Sequence, residues 1–218
     1  NTIIQNIANH LKMELKDLDE FIHKYLEETK IGINSFLKSK NNKVHNQYIA
    51  AKVGLDIPNA IITTNKQEIE KFLLLSPKVI TKFISEGMIF HCEDYNVFAS
   101  TSEVKEENLK TINQRIFPSL VQKNIEKFVE LRIFFLHYQI YSMAIFSQKN
   151  DKKKLNFRNY DRLLPNRNVP FQLPNLIEKK IKLFMNQINL NSGSIDMILT
   201  PDNKYVFLEV NPIGQFGM

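Results

Sequence analysis

Cysteines, glycine-rich loops and long apolar runs are scarce in this chain, and each shortage excludes something. The one cysteine, Cys92, rules out a disulfide framework within the chain and fits a reducing compartment, so the cytoplasm is the expected location. No apolar run approaches the roughly 18 residues that a membrane-spanning helix needs. The opening NTIIQNIANHL has neither the charged n-region nor the small-residue cleavage site of a signal peptide, so no membrane partner is expected. Gly-x-Ser-x-Gly, H-E-x-x-H and Cys-x-x-Cys are all missing, and His10, His23, His45, His91 and His137 show no ligand spacing. RNP-type aromatic runs, helix-turn-helix signals and zinc spacings are missing too, which argues against a nucleic-acid partner. There is no internal repeat and no low-complexity tract. The first residue is not Met, and a truncated chain is the expectation that follows.

What is present is a chain of 218 residues, 43% apolar, long enough for a substantial core in one composite domain or two small ones. Its formal charge of +6 favours an anionic partner: nucleotide phosphates, an acidic peptide or nucleic acid. Part of that excess lies in KNDKKKL, from Lys149 to Leu155, which reads as a solvated loop.

Apolar spacing predicts one long amphipathic helix, or two short ones, over residues 3–28. A helix stopped by Gly54 and a strand around Ala60–Thr63 follow, then a helix capped by Thr64 or Asn65 that ends before Pro77, and a strand over KVITKFIS. Strand candidates MIFHCEDY to VFAS, SLVQKNI and ELRIFFLHYQIYSMAIFS surround a helix near Glu106–Ile116. Ile177, Ile181, Phe184 and Ile188 mark one face of a further helix, with Pro174 near its start and Gly193 beyond its end. Helices mixed with antiparallel strands indicate an α+β fold.

The final hairpin, GSIDMILTPDNKYVFLEVNP, places Asp196 inside one apolar strand and Glu209 and Asn211 near the end of the next. Alternation puts Tyr205, Phe207, Glu209 and Asn211 on one face. A two-residue turn at Asp202–Asn203 would set Asp196 directly opposite Glu209. A type I turn begun by Pro201, with Asn203 left-handed, would shift the pairing by one residue, and a shared face would then need a bulge. Two opposed carboxylates repel, and a hard cation cures that; Mg²⁺ fits best, since it uses one or two carboxylates and keeps several waters. The competing reading makes Asp196 a turn cap or lysine partner and Glu209 an exposed edge residue.

The stretch DMILTPDNKYVFLEVNPIGQFGM closely resembles the metal-binding end of the ATP-grasp ligases. NKVHNQYIAAKVGLDIPNAIIT, KVITKF and LVQKNIEKFVELRIFF are similar to that family's other landmarks, in the same order, so that the resemblance covers residues 43–218. PSLVQKNIEKFVELR, AIFSQ, NFRNYD and NPIGQFG look most like the graspetide branch, the microviridin-type and grasp-with-spasm peptide maturases. The resemblance implies an ATP-grasp fold, with residues 1–41 as a helical connector, 42–125 as a first α+β subdomain and 126–218 as a second.

It also implies roles. Lys43 and Lys82 would neutralise ATP phosphates; backbone groups from Gln122 through Lys123, Asn124 and Ile125 would read adenine, with Lys123 adding a contact; Glu130 would accept from the ribose. Arg132 and Arg158 would serve the chemistry, Asn159 would join Arg158 near the triphosphate, and Arg167 is a weaker candidate there. Asp196, Glu209 and Asn211 would hold Mg²⁺. For Glu130 the competing reading is a paired strand glutamate, and for each arginine a buried salt bridge. The implied partner is an acidic precursor peptide with a leader segment, and a homodimer is compatible with the reading. Three departures stand out: little precedes Asn42, the family continues beyond NPIGQFGM, and no glycine-rich phosphate loop follows Lys82, where ISEGM offers only Gly87.

Overall fold

The computed structural model of the chain describes residues 2–35, 41–76, 78–85, 89–91, 96–98, 101–146 and 167–213. Helix α1 (Thr2–Thr29) is a single long helix that buries none of its residues, so its stripe of Ile4, Ile7, Leu11, Leu15, Leu18 and Ile22 is exposed. Past its end, Asn34 adopts left-handed backbone (φ 55°), a conformation that asparagine tolerates. Its amide group donates to the carbonyls of Ser192 (2.9 Å) and Pro212 (3.0 Å) and accepts from the N–H groups of Asn191 and Ser192 (3.0 Å each). Those bonds fasten this segment to the strands of the final hairpin.

The remaining elements are α2 (Lys43–Lys52), β1 (Ala60–Asn65), α3 (Lys66–Leu75), β2 (Val79–Lys82), β3 (Ile89–His91), β4 (Asn96–Phe98), β5 (Ser102–Glu103), α4 (Glu106–Thr111), β6 (Arg115–Lys123), β7 (Val129–Leu136), β8 (Gln139–Phe146), β9 (Arg167–Pro170), α5 (Asn175–Gln187), β10 (Ser192–Leu199) and β11 (Tyr205–Asn211). A four-stranded antiparallel sheet has the order β1-β6-β2-β5, and a five-stranded antiparallel sheet the order β11-β10-β7-β8-β9; β3 and β4 pair separately. The α+β class is therefore as expected.

Each cap has a local cause. The Asn42 side chain accepts from the His45 N–H (3.0 Å) to start α2, Gly54 at φ 83° ends it, and the Asn65 side chain accepts from the Gln67 N–H (2.9 Å) to start α3. Ile181, Phe184 and Met185 of α5 pack with Ile49 and Ala50 of α2 against Leu131, Ile133, Ile195, Met197 and Phe207 of the large sheet. Gly193 lies beyond α5 as expected but inside β10, where a β-carbon would come within 3.2 Å of Val210 Cγ2 and 3.3 Å of Met185 Cε.

Two sequence expectations are corrected. The helix near Glu106 ends at Thr111 and not at Ile116, because Arg115 already pairs with Asn65 in the small sheet and Ile116 packs against its core. The run ELRIFFLHYQIYSMAIFS is two strands, β7 and β8, turned at His137 (φ 43°) and Tyr138 (φ 69°). Two successive positive φ values are what a tight hairpin requires, and neither residue signals this in the way Asn-Gly would.

Candidate functional site

The final hairpin follows the second of the two turn alternatives. Asn203 is left-handed (φ 60°), and the strands pair as Leu199↔Tyr205, Ile198↔Val206 and Met197↔Phe207. A register shift then intervenes, leaving Leu208 as the extra residue, and the pairing resumes as Asp196↔Glu209, Ile195↔Val210 and Ser194↔Asn211. The bulge corrects the simple alternation, because Phe207 no longer shares a face with Glu209. Its ring enters the core edge-on to Phe184, centroids 4.9 Å apart, while Glu209 and Asn211 share the opposite face with Asp196.

Pairing across the large sheet extends that face in two rows. Val206, Ile198, Glu130, Ile145 and Asn168 form one; Glu209, Asp196, Arg132, Met143 and Pro170 form the next. Arg132 thus shares the face of Glu130, as their spacing of two requires. In the small sheet Lys82 pairs with Leu120, and Ile80 with Gln122, so Lys82 and Gln122 share one face, while Val79 and Val121 pack with Ile69 of α3 on the other. Lys123 alternates away from Gln122, onto the face of Val79. The N–H groups of Lys123 and Asn124 are committed to the carbonyls of Asn59 (2.8 Å) and Lys78 (2.9 Å), so base reading by this segment would rest on its carbonyls and on Ile125.

Charges of both signs meet at the end of the second row. Arg132 Nε lies 2.9 Å from Asp196 Oδ1, and its Nη1 donates to Ser194 Oγ at 3.1 Å. Lys43 Nζ lies 3.5 Å from Glu209 Oε2. Burial pushes the Lys82 ammonium below its usual range; Glu209 pulls it back up, Lys43 lowers it further and Asp196 raises it, which places Lys82 within the same electrostatic cluster. Lys43, Lys82, Arg132, Asp196 and Glu209 are therefore brought together, with Asn211 one pair further along the hairpin.

Glu130 bonds Lys127 through Oε1, as the competing reading expects, yet its Oε2 is buried without a partner. Gln122 Oε1 and Asn168 Oδ1 are buried and unpartnered as well. Three orphaned acceptors on these faces suit a ligand rich in N–H and O–H donors, as a nucleoside is. The donor set at the hairpin suits a hard divalent ion: two opposed carboxylates and an amide, with no third carboxylate, histidine or cysteine clustered there among the described residues.

Ser194, Lys127 and Asn168 join the candidate site through their contacts or position, and the sequence does not single them out. Only Asn168 carried a signal, lying beside Arg167 in PNRNVP. Arg167 itself is exposed and pairs with Phe146, on the face opposite to Asn168. Arg158, Asn159, Gly87, Cys92 and the lysines of KNDKKKL lie outside the described residues.

No protein-family model and no curated protein matches the chain. Among solved structures it is similar to a RiPP-associated ATP-grasp ligase of Chryseobacterium gregarium, in complex with ADP and a leader and core peptide: identity is 26% and the TM-score 0.81, over 96% of this chain and 64% of that one. It is similar also to the macrocyclase MdnC of Microcystis aeruginosa, bound with precursor peptide MdnA, with 29% identity and a TM-score of 0.75 over 94% of this chain and 65% of that one. The ATP-grasp ligase PsnB, complexed with a minimal precursor, shares the fold at 17% identity and a TM-score of 0.74, over 94% of this chain and 64% of that one. The chain thus spans less than two thirds of the length of each. It is built on the ATP-grasp fold and resembles the RiPP-associated ATP-grasp ligases.

Proposed function

We propose that the chain binds ATP and Mg²⁺ for a ligase that activates Asp or Glu carboxylates of a precursor peptide, closing ester or amide bonds between side chains. The observation that carries this is the convergence of Lys43, Lys82 and Arg132 on the opposed carboxylates Asp196 and Glu209. Phosphoryl transfer needs positioned positive charge more than it needs a protein nucleophile. A peptide carboxylate oxygen attacks the γ-phosphorus and ADP leaves; a hydroxyl or amine of the same peptide then attacks the acyl carbon, and phosphate leaves. Lys43 and Lys82 neutralise phosphate oxygens, Arg132 faces the transferred group, Glu130 accepts from the ribose, and Gln122 to Ile125 hold the base. Asp196, Glu209 and Asn211 hold Mg²⁺, which when bound supplies further neutralisation of phosphate charge. Arg158 and Asn159 complete the set from outside the described residues.

The same reading divides the chain into a connector (1–41) and two subdomains (42–125 and 126–218), and takes as partner an acidic peptide with a leader. The C. gregarium ligase in complex with leader and core peptide, and MdnC bound with its precursor, support that choice. No helix of the described residues is long and apolar enough to cross a membrane. Cytoplasmic location and a homodimer belong to the proposal. The test is incubation with Mg²⁺, ATP and acidic peptides, followed by mass spectrometry. Loss of water from a single peptide supports macrocyclisation, added residues would transfer the reading to a tailing ligase, and unchanged peptide without ADP formation would overturn both.

A further inference from the structure

We propose that Lys43 is the resident cation of the metal site: without nucleotide its ammonium occupies Glu209, so the protein takes up a divalent ion poorly until phosphates draw the lysine away. This rests on the ATP and Mg²⁺ reading above and adds an order of binding to it. The ion pair is built in. Lys43 is the first residue of α2, and α2 with the segment leading into it is stitched to β11 on both sides of Glu209: Asn41 Nδ2, just before the helix, donates to the Val210 carbonyl (3.1 Å), and Gln47 Nε2 of the helix to the Leu208 carbonyl (3.4 Å). Asn46 Nδ2 donates to Asn41 Oδ1 (2.7 Å) and holds the first of these clamps in place.

A cation at a helix N-terminus sits at the unfavourable end of the dipole, and the first turn of α2 contains no acidic residue. Glu209 is the carboxylate that compensates Lys43 there, 3.5 Å away. The other ligand carboxylate is paired differently. Asp196 is held by the buried Arg132, a planar group that Ser194 also fixes, whereas Lys43 is a point charge on a flexible four-carbon stem, partly open to solvent. Of the three cations that the described residues bring to this cluster, Arg132 is fixed by Ser194 and Lys82 is desolvated, so Lys43 is the one able to leave. Once phosphate oxygens accept the ammonium, Lys43 no longer competes with the metal for Glu209, and lysine and metal then neutralise the same polyanion from two sides.

The experiment uses Mn²⁺ as the probe and counts the free ion by EPR, with the nucleotide-free protein. A divalent ion and an ammonium about 5 Å apart repel enough, even in a water-like dielectric, to weaken binding by about tenfold. Lys43→Met should therefore bind Mn²⁺ about tenfold more tightly than the parent, and Glu209→Gln should lose that binding. Equal affinity of the parent and Lys43→Met, with Glu209→Gln weakened, would overturn the exchange and leave the metal reading standing. Undiminished binding by Glu209→Gln would overturn both. A second measurement avoids any folding defect of the variants: acylation of Lys43 in the parent, read by peptide mass spectrometry, should rise as Mn²⁺ saturates, and labelling indifferent to Mn²⁺ would refute the proposal.

Discussion

The two sheets differ in what stands behind them. Among the described residues, eighteen buried apolar residues cluster behind the five-stranded sheet, drawn from α2, α5, the strands and the segments that connect them, against four behind the four-stranded sheet, where Ile69, Val79, Leu109 and Val121 form the cluster. The heavily backed sheet carries every proposed metal ligand, and the lightly backed one carries Lys82 and Gln122. A carboxylate pair must be held at fixed spacing, and a close-packed core does that. If Lys82 meets phosphate as proposed, it need only arrive when its ligand does, and the sheet with fewer apolar residues buried behind it among the described residues is the one expected to move more readily.

The largest effect expected is chemical and belongs to the rigid sheet. On the proposed function, Glu209→Gln should lower turnover by more than about 10²-fold, since it removes charge from the proposed metal site. The fold should survive, because Glu209 points away from the cluster that holds Phe207 and Phe184. Turnover within a few-fold of the parent would remove the metal assignment, and with it the reason for the contrast between the sheets.

Next in size is a pair of core truncations. Phe207→Ala should cost about 3–5 kcal/mol in urea unfolding, as other large-to-small core changes do. Val121→Ala in the small sheet should cost about 2 kcal/mol, from two methyl groups plus a modest cavity. Hydrogen exchange should then place the amides of β2 and β6 below those of β7 and β10 in protection. If Val121→Ala proves as costly as Phe207→Ala, the sheets are equally rigid and the contrast fails.

Most of this was open to reading from the sequence, for physical reasons that also mark where reading fails. The long helices declared themselves through spacing and caps, as with Asn65 and Gly54. The carboxylates of the hairpin stood out because an acidic side chain in an apolar strand needs a partner. What the sequence could not decide was register. Whether Asn203 turned left-handed was a local choice between turn types of similar cost, and a bulge at Leu208 then moved Phe207 to the core while keeping Asp196 opposite Glu209. Lys127 and Ser194 were hidden for a related reason: their roles come from neighbours, Glu130 and Arg132, whose placement depends on strand alternation and pairing. Nothing in the pattern of α1 indicated that its apolar stripe would stand exposed.

The smallest effect tests the turn itself. Asp202 is exposed, and its carboxylate is held at a pKa of about 2, first by the hydrogen bond from Lys204 and then by the bond from Thr200. Asp202 Oδ2 lies 2.7 Å from Lys204 Nζ, and Thr200 Oγ1 donates to Oδ1 at 2.6 Å. A folded-state pKa below the unfolded value means that the ionised form favours the fold. That contribution is complete above the ordinary carboxylate range and is lost as pH falls from about 4 through about 2. Asp202→Asn should therefore lower Tm slightly near neutral pH, and the difference from the parent should narrow steadily as both are acidified. Being far from the site row, the change should leave Mn²⁺ binding at its parental value. An NMR titration that found the Asp202 carboxyl at an ordinary pKa would show that the turn is not clamped from both sides, and the bulge would then have to be fixed by Phe207 packing alone.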